Sequence, residues 1–124
     1  TGKGGFLEPV AKYIGAKYGY TPEKGAASSA RVHELLEQIA DRLKAQKALG
    51  SQYLLGQSLS AADVYCATVM ALISPLPEAQ CQMKPTTRAA FSTLDDATKA
   101  ALDPIILAHR DLIYEKHLEL PLSL

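Results

Sequence analysis

Tyr53-Leu54-Leu55-Gly56-Gln57-Ser58-Leu59-Ser60-Ala61-Ala62-Asp63-Val64-Tyr65 carries a complete helix-start device in front of an almost wholly apolar run. Ser60 is placed to accept a hydrogen bond from the backbone N–H of Asp63, and the Asp63 carboxylate to accept one from the N–H of Ser60, so orphan donors at both positions are satisfied. Leu59 and Val64 fall at the positions of a hydrophobic staple. Such a cap contributes roughly 1 kcal/mol, and the Asp63 charge faces the positive end of the helix dipole. Ser60 and Asp63 are therefore read as a structural N-cap rather than as catalytic groups. Behind them Val64, Cys66, Ala67, Val69, Met70 and Ile73 leave almost no polar face, which predicts a helix lying in the middle of others rather than on top of them. Pro75 and Pro77 stop it.

Outward from this stretch the chain punctuates itself into further helices. On the N-terminal side Val32, Leu35, Leu36, Ile39 and Leu43 form one stripe, with Arg31, Glu34, Gln38, Asp41, Arg42 and Lys44 largely outside it, the pattern of a helix packed by one face and ended at Gly50. Tyr20 to Gly25 reads as a turn. Before it, Glu8-Pro9 marks a helix entry, Leu7, Val10, Ala11, Ile14 and Tyr18 follow at helical spacing, and Gly19 is the stop. On the C-terminal side a short helix is expected across Thr86 to Phe91. Asp95 or Asp96 caps another to Leu102, and Asp103-Pro104 sets a cap and a first-turn proline. Ile105, Ala108 and Leu112, with Ile106 and Ile113 beside them, supply the buried face of that last helix, and Pro121 marks its exit. No alternating run bounded by hairpin turns and no internal repeat is visible. The fold class is all-α, a multi-helix bundle.

At 124 residues the chain fits one domain able to bury a core without disulfides or metal. Thirteen basic and thirteen acidic side chains leave no net charge, so neither nucleic-acid binding by a basic field nor attachment to anionic membranes is expected, and a small molecule or a protein is the natural partner. Cys66 and Cys81 are too few and too far apart for a disulfide framework, which favours a reducing, cytoplasmic setting with an inert thiol at Cys66. No stretch of about 18 apolar residues is long enough to span a bilayer and no leader pattern opens the chain, so a soluble protein is expected. A first residue Thr1 rather than Met suggests a processed or trimmed chain.

The leucine pair and glycine at Leu54-Leu55-Gly56, the short polar turn, and Leu59-Ser60-Ala61-Ala62-Asp63-Val64-Tyr65 leading into an apolar helix closely resemble the signature of the glutathione S-transferase C-terminal domain, in which it starts the central core helix. The resemblance spreads outward. Arg31-Val32-His33-Glu34-Leu35-Leu36 to Leu49 looks like the amphipathic helix before that turn, and His109 to Pro121 looks like the closing segment of certain bacterial and fungal members. Residues 26–121 map onto that domain, and residues 1–25 are an N-terminal helix and turn that match its pattern less well.

What the resemblance implies is attack by the thiolate of glutathione, as co-substrate, on an apolar electrophilic acceptor. The thiol, with a pKa near 8.5, has to be held as thiolate beside its acceptor. In the family the donor that does so comes from a thioredoxin-like N-terminal domain, and no strand-helix-strand pattern of that kind is present here. No catalytic residue is therefore assigned, and the chain alone is expected to be catalytically incomplete. The family's helical domain supplies an acceptor-binding wall and dimer contacts, and Phe6, Val10 and Tyr13 are the candidates for that substrate-binding wall. A homo-oligomer is expected, since a bare apolar surface is unusual on a monomer. The alternative is a non-enzymatic protein-protein interaction module of the same fold.

Other constellations carry less. His33 and Glu37 share a helix face and His109 and His117 lie two turns apart, but no third ligand has zinc-site spacing, and no metal site is assigned. Gly2-Lys3-Gly4-Gly5 lacks the spacing of a phosphate-binding loop. His109-Arg110-Asp111 has the letters of a kinase catalytic loop without its companion motifs, and reads as an exposed helix segment.

Overall fold

The computed structural model describes residues 7–122. In chain order the helices are α1 (Glu8–Lys17), α2 (Pro22–Ala48), α3 (Ala61–Ile73), α4 (Pro85–Ser92), α5 (Asp96–Ala101) and α6 (Pro104–His117). Among the described residues there is no strand. One isolated parallel bridge joins Cys81 to Leu122, where Leu122 N–H donates to the Gln80 carbonyl at 2.8 Å.

Local chemistry sets most of the boundaries. Thr21 Oγ1 accepts from Lys24 N–H at 3.2 Å and Pro22 stands in the first turn, so α2 starts here. Asp95 accepts from Thr98 N–H at 2.8 Å and Asp103 from Ile105 N–H at 2.9 Å, which start α5 and α6 as the sequence predicts. The expected turn over residues 20–25 is thus shorter than predicted. The helix runs straight through Gly25, because Thr21-Pro22 is the same cap-and-proline signal as Asp103-Pro104.

The core has two centres. Leu36, Ala40 and Leu43 of α2 meet Met70 of α3, Ile106 of α6 and Leu54 from the loop between α2 and α3. Ala67 of α3 meets Ile113 and Tyr114 of α6 together with Leu76 and Cys81. Helix α6 therefore lies between α2 and α3, and full burial of Ile106 and Ile113 contributes roughly 2–3 kcal/mol each. Arg110 is buried with them. Its guanidinium donates to the Ser74 carbonyl just beyond α3 and, from Nε, to Asp111 Oδ1 at 2.8 Å.

Four expectations about burial need correction. The inner stripe of α6 is Ile106, His109, Arg110, Ile113 and Tyr114, while Ala108 is exposed and Ile105 and Leu112 only half-buried. His109-Arg110-Asp111 is therefore not an exposed segment: two of its three side chains are inside, each with a hydrogen-bond partner that makes burial tolerable. Helix α3 is not surrounded. Asp63, Ala67 and Met70 are its buried residues, and Tyr65, Val69 and Leu72 stand exposed. On α2 the inner face is Leu36, Ala40 and Leu43, with Ile39 half-buried and Val32 and Leu35 open to solvent.

Candidate functional site

Asp63 is the most densely bonded side chain of the chain's interior. It is 0% exposed. Its Oδ1 accepts from Leu54 N–H at 2.7 Å and from His109 Nε2 at 2.9 Å, and its Oδ2 accepts from Ser60 N–H at 2.8 Å and from the Ser60 hydroxyl at 2.6 Å. The capping box is formed, and the carboxylate does more than close it: the loop before α3, the start of α3 and the middle of α6 are joined at one residue. Burial pushes the Asp63 carboxyl up, but the bonds from Leu54, the Ser60 hydroxyl, His109 and Ser60 N–H together outweigh it and hold the group below its ordinary value. Asp63 is a buried anion held by donors.

A carboxylate on an imidazole is also half of a nucleophile-activating arrangement, whose other half stands at the second ring nitrogen. Asp63 only accepts, so His109 Nε2 carries the proton and Nδ1 is the nitrogen left for base chemistry. That Nδ1 is buried and has no hydrogen-bond partner. Among the described residues no Ser, Thr or Cys side chain is hydrogen-bonded to it. The two thiols are free. At Cys66, burial first and then the nearby Asp63 charge push the thiol up to about 11, which leaves it unreactive at neutral pH. Among the described residues no three His, Cys, Asp or Glu side chains converge as a metal set, and no helix is long and apolar enough to cross a membrane.

The loop over Ser51–Gly56 is held from α2. Gln46 Nε2 donates to the carbonyls of Tyr53 (3.0 Å) and Gly56 (2.9 Å), Arg42 Nε donates to the Leu54 carbonyl at 2.8 Å, and the Ser51 hydroxyl donates to the Gly56 carbonyl at 2.6 Å. Gly56 takes φ +64° here, a conformation that suits glycine. Two concavities flank this loop. An open cleft of about 350 Å³ between α2 and α6 has Leu43, Ile105, Ala108 and Leu112 as its apolar surface, with Lys47 and His109 at its side. Further toward the start of α2, a groove of about 240 Å³ runs between α2 and the loop and first turn of α3, formed by Leu35, Ile39, Leu54, Leu55 and Ala62.

The structure brings Ser60 and Asp63 together as the cap. Val10 and Tyr13 lie on α1, 42% and 68% exposed, and line neither concavity. Phe6 lies outside the described residues. His33 Nε2 and Thr98 Oγ1 are 3.0 Å apart, tying α2 to α5, and His117 Nε2 lies 3.0 Å from the Tyr53 hydroxyl, so both histidines join elements rather than each other. His109 as a partner of Asp63 was missed by sequence reasoning. The two are 46 positions apart, and no local pattern links them.

An all-α bundle with a buried, hydrogen-bonded Asp63–His109 pair is the class these observations define. Comparison with known protein families, with curated proteins and with solved structures returns no match to this chain.

Proposed function

We propose that this chain is the C-terminal helical domain of a glutathione S-transferase-like protein, one that contributes apolar surface to a partner domain and acceptor rather than reacting groups of its own. The observation that carries this reading is the Asp63 junction. The residue that starts the apolar helix in the resembling signature is here a fully buried carboxylate with four donors, around which the loop and the last helix are assembled. A free thiol pushed up to about 11 at Cys66 and a histidine whose spare nitrogen is sealed off agree with a chain that is catalytically silent alone. Glutathione is then the co-substrate of the joined protein, with the thioredoxin-like partner holding its thiolate, and two unpaired thiols fit a cytoplasmic setting.

The rival reading, a non-enzymatic interaction module of the same fold, draws on the exposed Tyr65, Val69 and Leu72 of α3, a face suited to another protein. Calorimetric titration with glutathione and with an S-alkyl glutathione, followed by amide spectra, separates the two. Binding of the alkylated ligand alone, with shifts at Val10 and Tyr13, is the expected result for an acceptor wall detached from its glutathione site. No binding of either ligand counts against the transferase reading.

A further inference from the structure

Two apolar faces of this chain lie bare, and its geometry keeps them apart within one copy. The first belongs to α1. Leu7, Val10, Ile14 and Tyr18 recur at helical spacing, Leu7 and Tyr18 are 77% and 74% exposed, and α1 buries no residue and packs on no other helix among the described residues. The second is the groove between α2 and α3. Ala62, Cys66 and Val69 follow one another along one side of α3, so the groove walled by Leu35, Ile39 and Leu55 continues toward Val69, with Tyr65 and Leu72 further round the helix.

Helix α1 does not reach this groove in its own chain. The elbow between α1 and α2 is built: Lys24 Nζ donates to the Gly19 carbonyl at 3.0 Å, Thr21 caps α2, and the Tyr20 ring lies so close over Gly25 that a Cβ there would sit 2.7 Å from it. From Pro22 to Val32 every residue but Gly25 is exposed, so the elbow stands off the bundle at the end of a free stretch of helix. Leu35 lies thirteen residues past Pro22, about 20 Å along the axis, whereas the ten residues of α1 span about 15 Å. Even folded flat along α2, α1 stops short of the groove.

We infer that two copies of this chain pair by exchanging α1, each α1 lying in the α2–α3 groove of the other copy. One bare helix and one bare groove per copy match in number, and the exchange closes as a two-fold pair with neither face left over. The area agrees. The exposed fractions of Leu7, Val10, Ile14 and Tyr18 on the arm and of Leu35, Leu55 and Val69 along the groove amount to nearly four whole side chains per copy, which at about 150 Å² each gives about 1,100 Å² for the pair, above the roughly 1,000 Å² that a specific interface needs. The inference goes beyond the functional reading above and rests on packing alone, so a failed ligand titration leaves it standing.

Sedimentation equilibrium of the purified chain between about 1 and 100 μM tests it, with two exposed positions changed, Ile14→Glu on the arm and Val69→Glu in the groove, and circular dichroism to show that each variant keeps its helices. The wild type is expected to be a dimer and each variant a monomer. An equal mixture of the two variants regains a dimer, weaker than the wild type, because the intact α1 of the Val69→Glu copy meets the intact groove of the Ile14→Glu copy. A monomeric wild type at 100 μM, a variant that dimerises as well as wild type, or a mixture that stays monomeric would each overturn the exchange. The last result is what pairing of like faces, α1 on α1 or groove on groove, predicts.

Discussion

Four donors converge on the Asp63 carboxylate, and its removal therefore leaves several buried groups unpaired at once. In Asp63→Ala the Leu54 N–H, the Ser60 N–H and His109 Nε2 all lose their acceptor. Breaking a buried charged network by deleting one member costs about 3–5 kcal/mol, which for a chain of this size lowers the melting temperature by about 12–19 °C. Thermal melts followed by circular dichroism read this directly, and an unchanged melting temperature would remove Asp63 from the stability argument. The pH dependence has a definite sign. Folding holds the Asp63 carboxyl below its ordinary value, burial pushing it up and the hydrogen bonds from Leu54, Ser60 and His109 outweighing that. The unfolded chain therefore takes up the proton at higher pH than the folded one. The stabilisation is complete above the unfolded value of about 4 and is lost as pH falls through the folded value. Asp95, held low by Thr98, and Asp103, held low by Lys44, behave alike and remain in an Asp63→Asn variant. Between pH 5 and 3 the urea midpoint of the wild type should thus fall more steeply than that of Asp63→Asn. Parallel curves would mean that Asp63 titrates alike in both states.

At the scale of elements, what was legible in the sequence is what is decided within a turn of chain. Ser60 with Asp63, Asp95 with Thr98 and Asp103 with Pro104 are bonds or constraints between near neighbours, and α3, α5 and α6 start where those residues predict. The start of α2 was legible too, in Thr21-Pro22, but Gly25 spoke for a turn. Its lack of a side chain answers to the Tyr20 ring and not to a change of direction. What was not legible is pairing across the fold. Nothing near His109 announces Asp63, and nothing near Arg110 announces the Ser74 carbonyl, so polar residues on the inner stripe of α6 displaced the expected apolar one. Gln46 is a further case, a polar residue in mid-helix that is 6% exposed and fixes the loop ahead of α3 through the Tyr53 and Gly56 carbonyls. Gln46→Leu keeps the volume and removes both donors. Leaving buried acceptors unmet costs about 1–3 kcal/mol, and the loop should loosen before the helices do. Amide exchange of Tyr53 to Gly56 is expected to accelerate more than that of the α6 core around Ile113. Uniform acceleration across both would assign Gln46 to general packing instead.

Over the whole molecule, the apolar run of α3 predicted central burial because a helix without a polar face needs neighbours all round. The bundle supplies them on one side only. Helix α6 packs against Ala67 and Met70, while α1, which is amphipathic and of the right length to lie along α3, is carried away by the elbow and the free start of α2. The mismatch therefore has one cause, a missing helix against the α2–α3 groove, and the exchanged α1 of a second copy repairs it. Stability then depends on association. If the folded form is the pair, unfolding releases two chains, and raising the protein concentration shifts the balance toward the folded pair by mass action. For two chains of 124 residues melting together, each tenfold rise in concentration should lift the melting temperature by about 3 °C. Val69→Glu, with the groove charged and the pair broken, is expected to melt lower and at a temperature independent of concentration. Equal concentration dependence in both proteins would place the association elsewhere on the surface, and none in the wild type would mean that the bundle is stable with its α3 face bare.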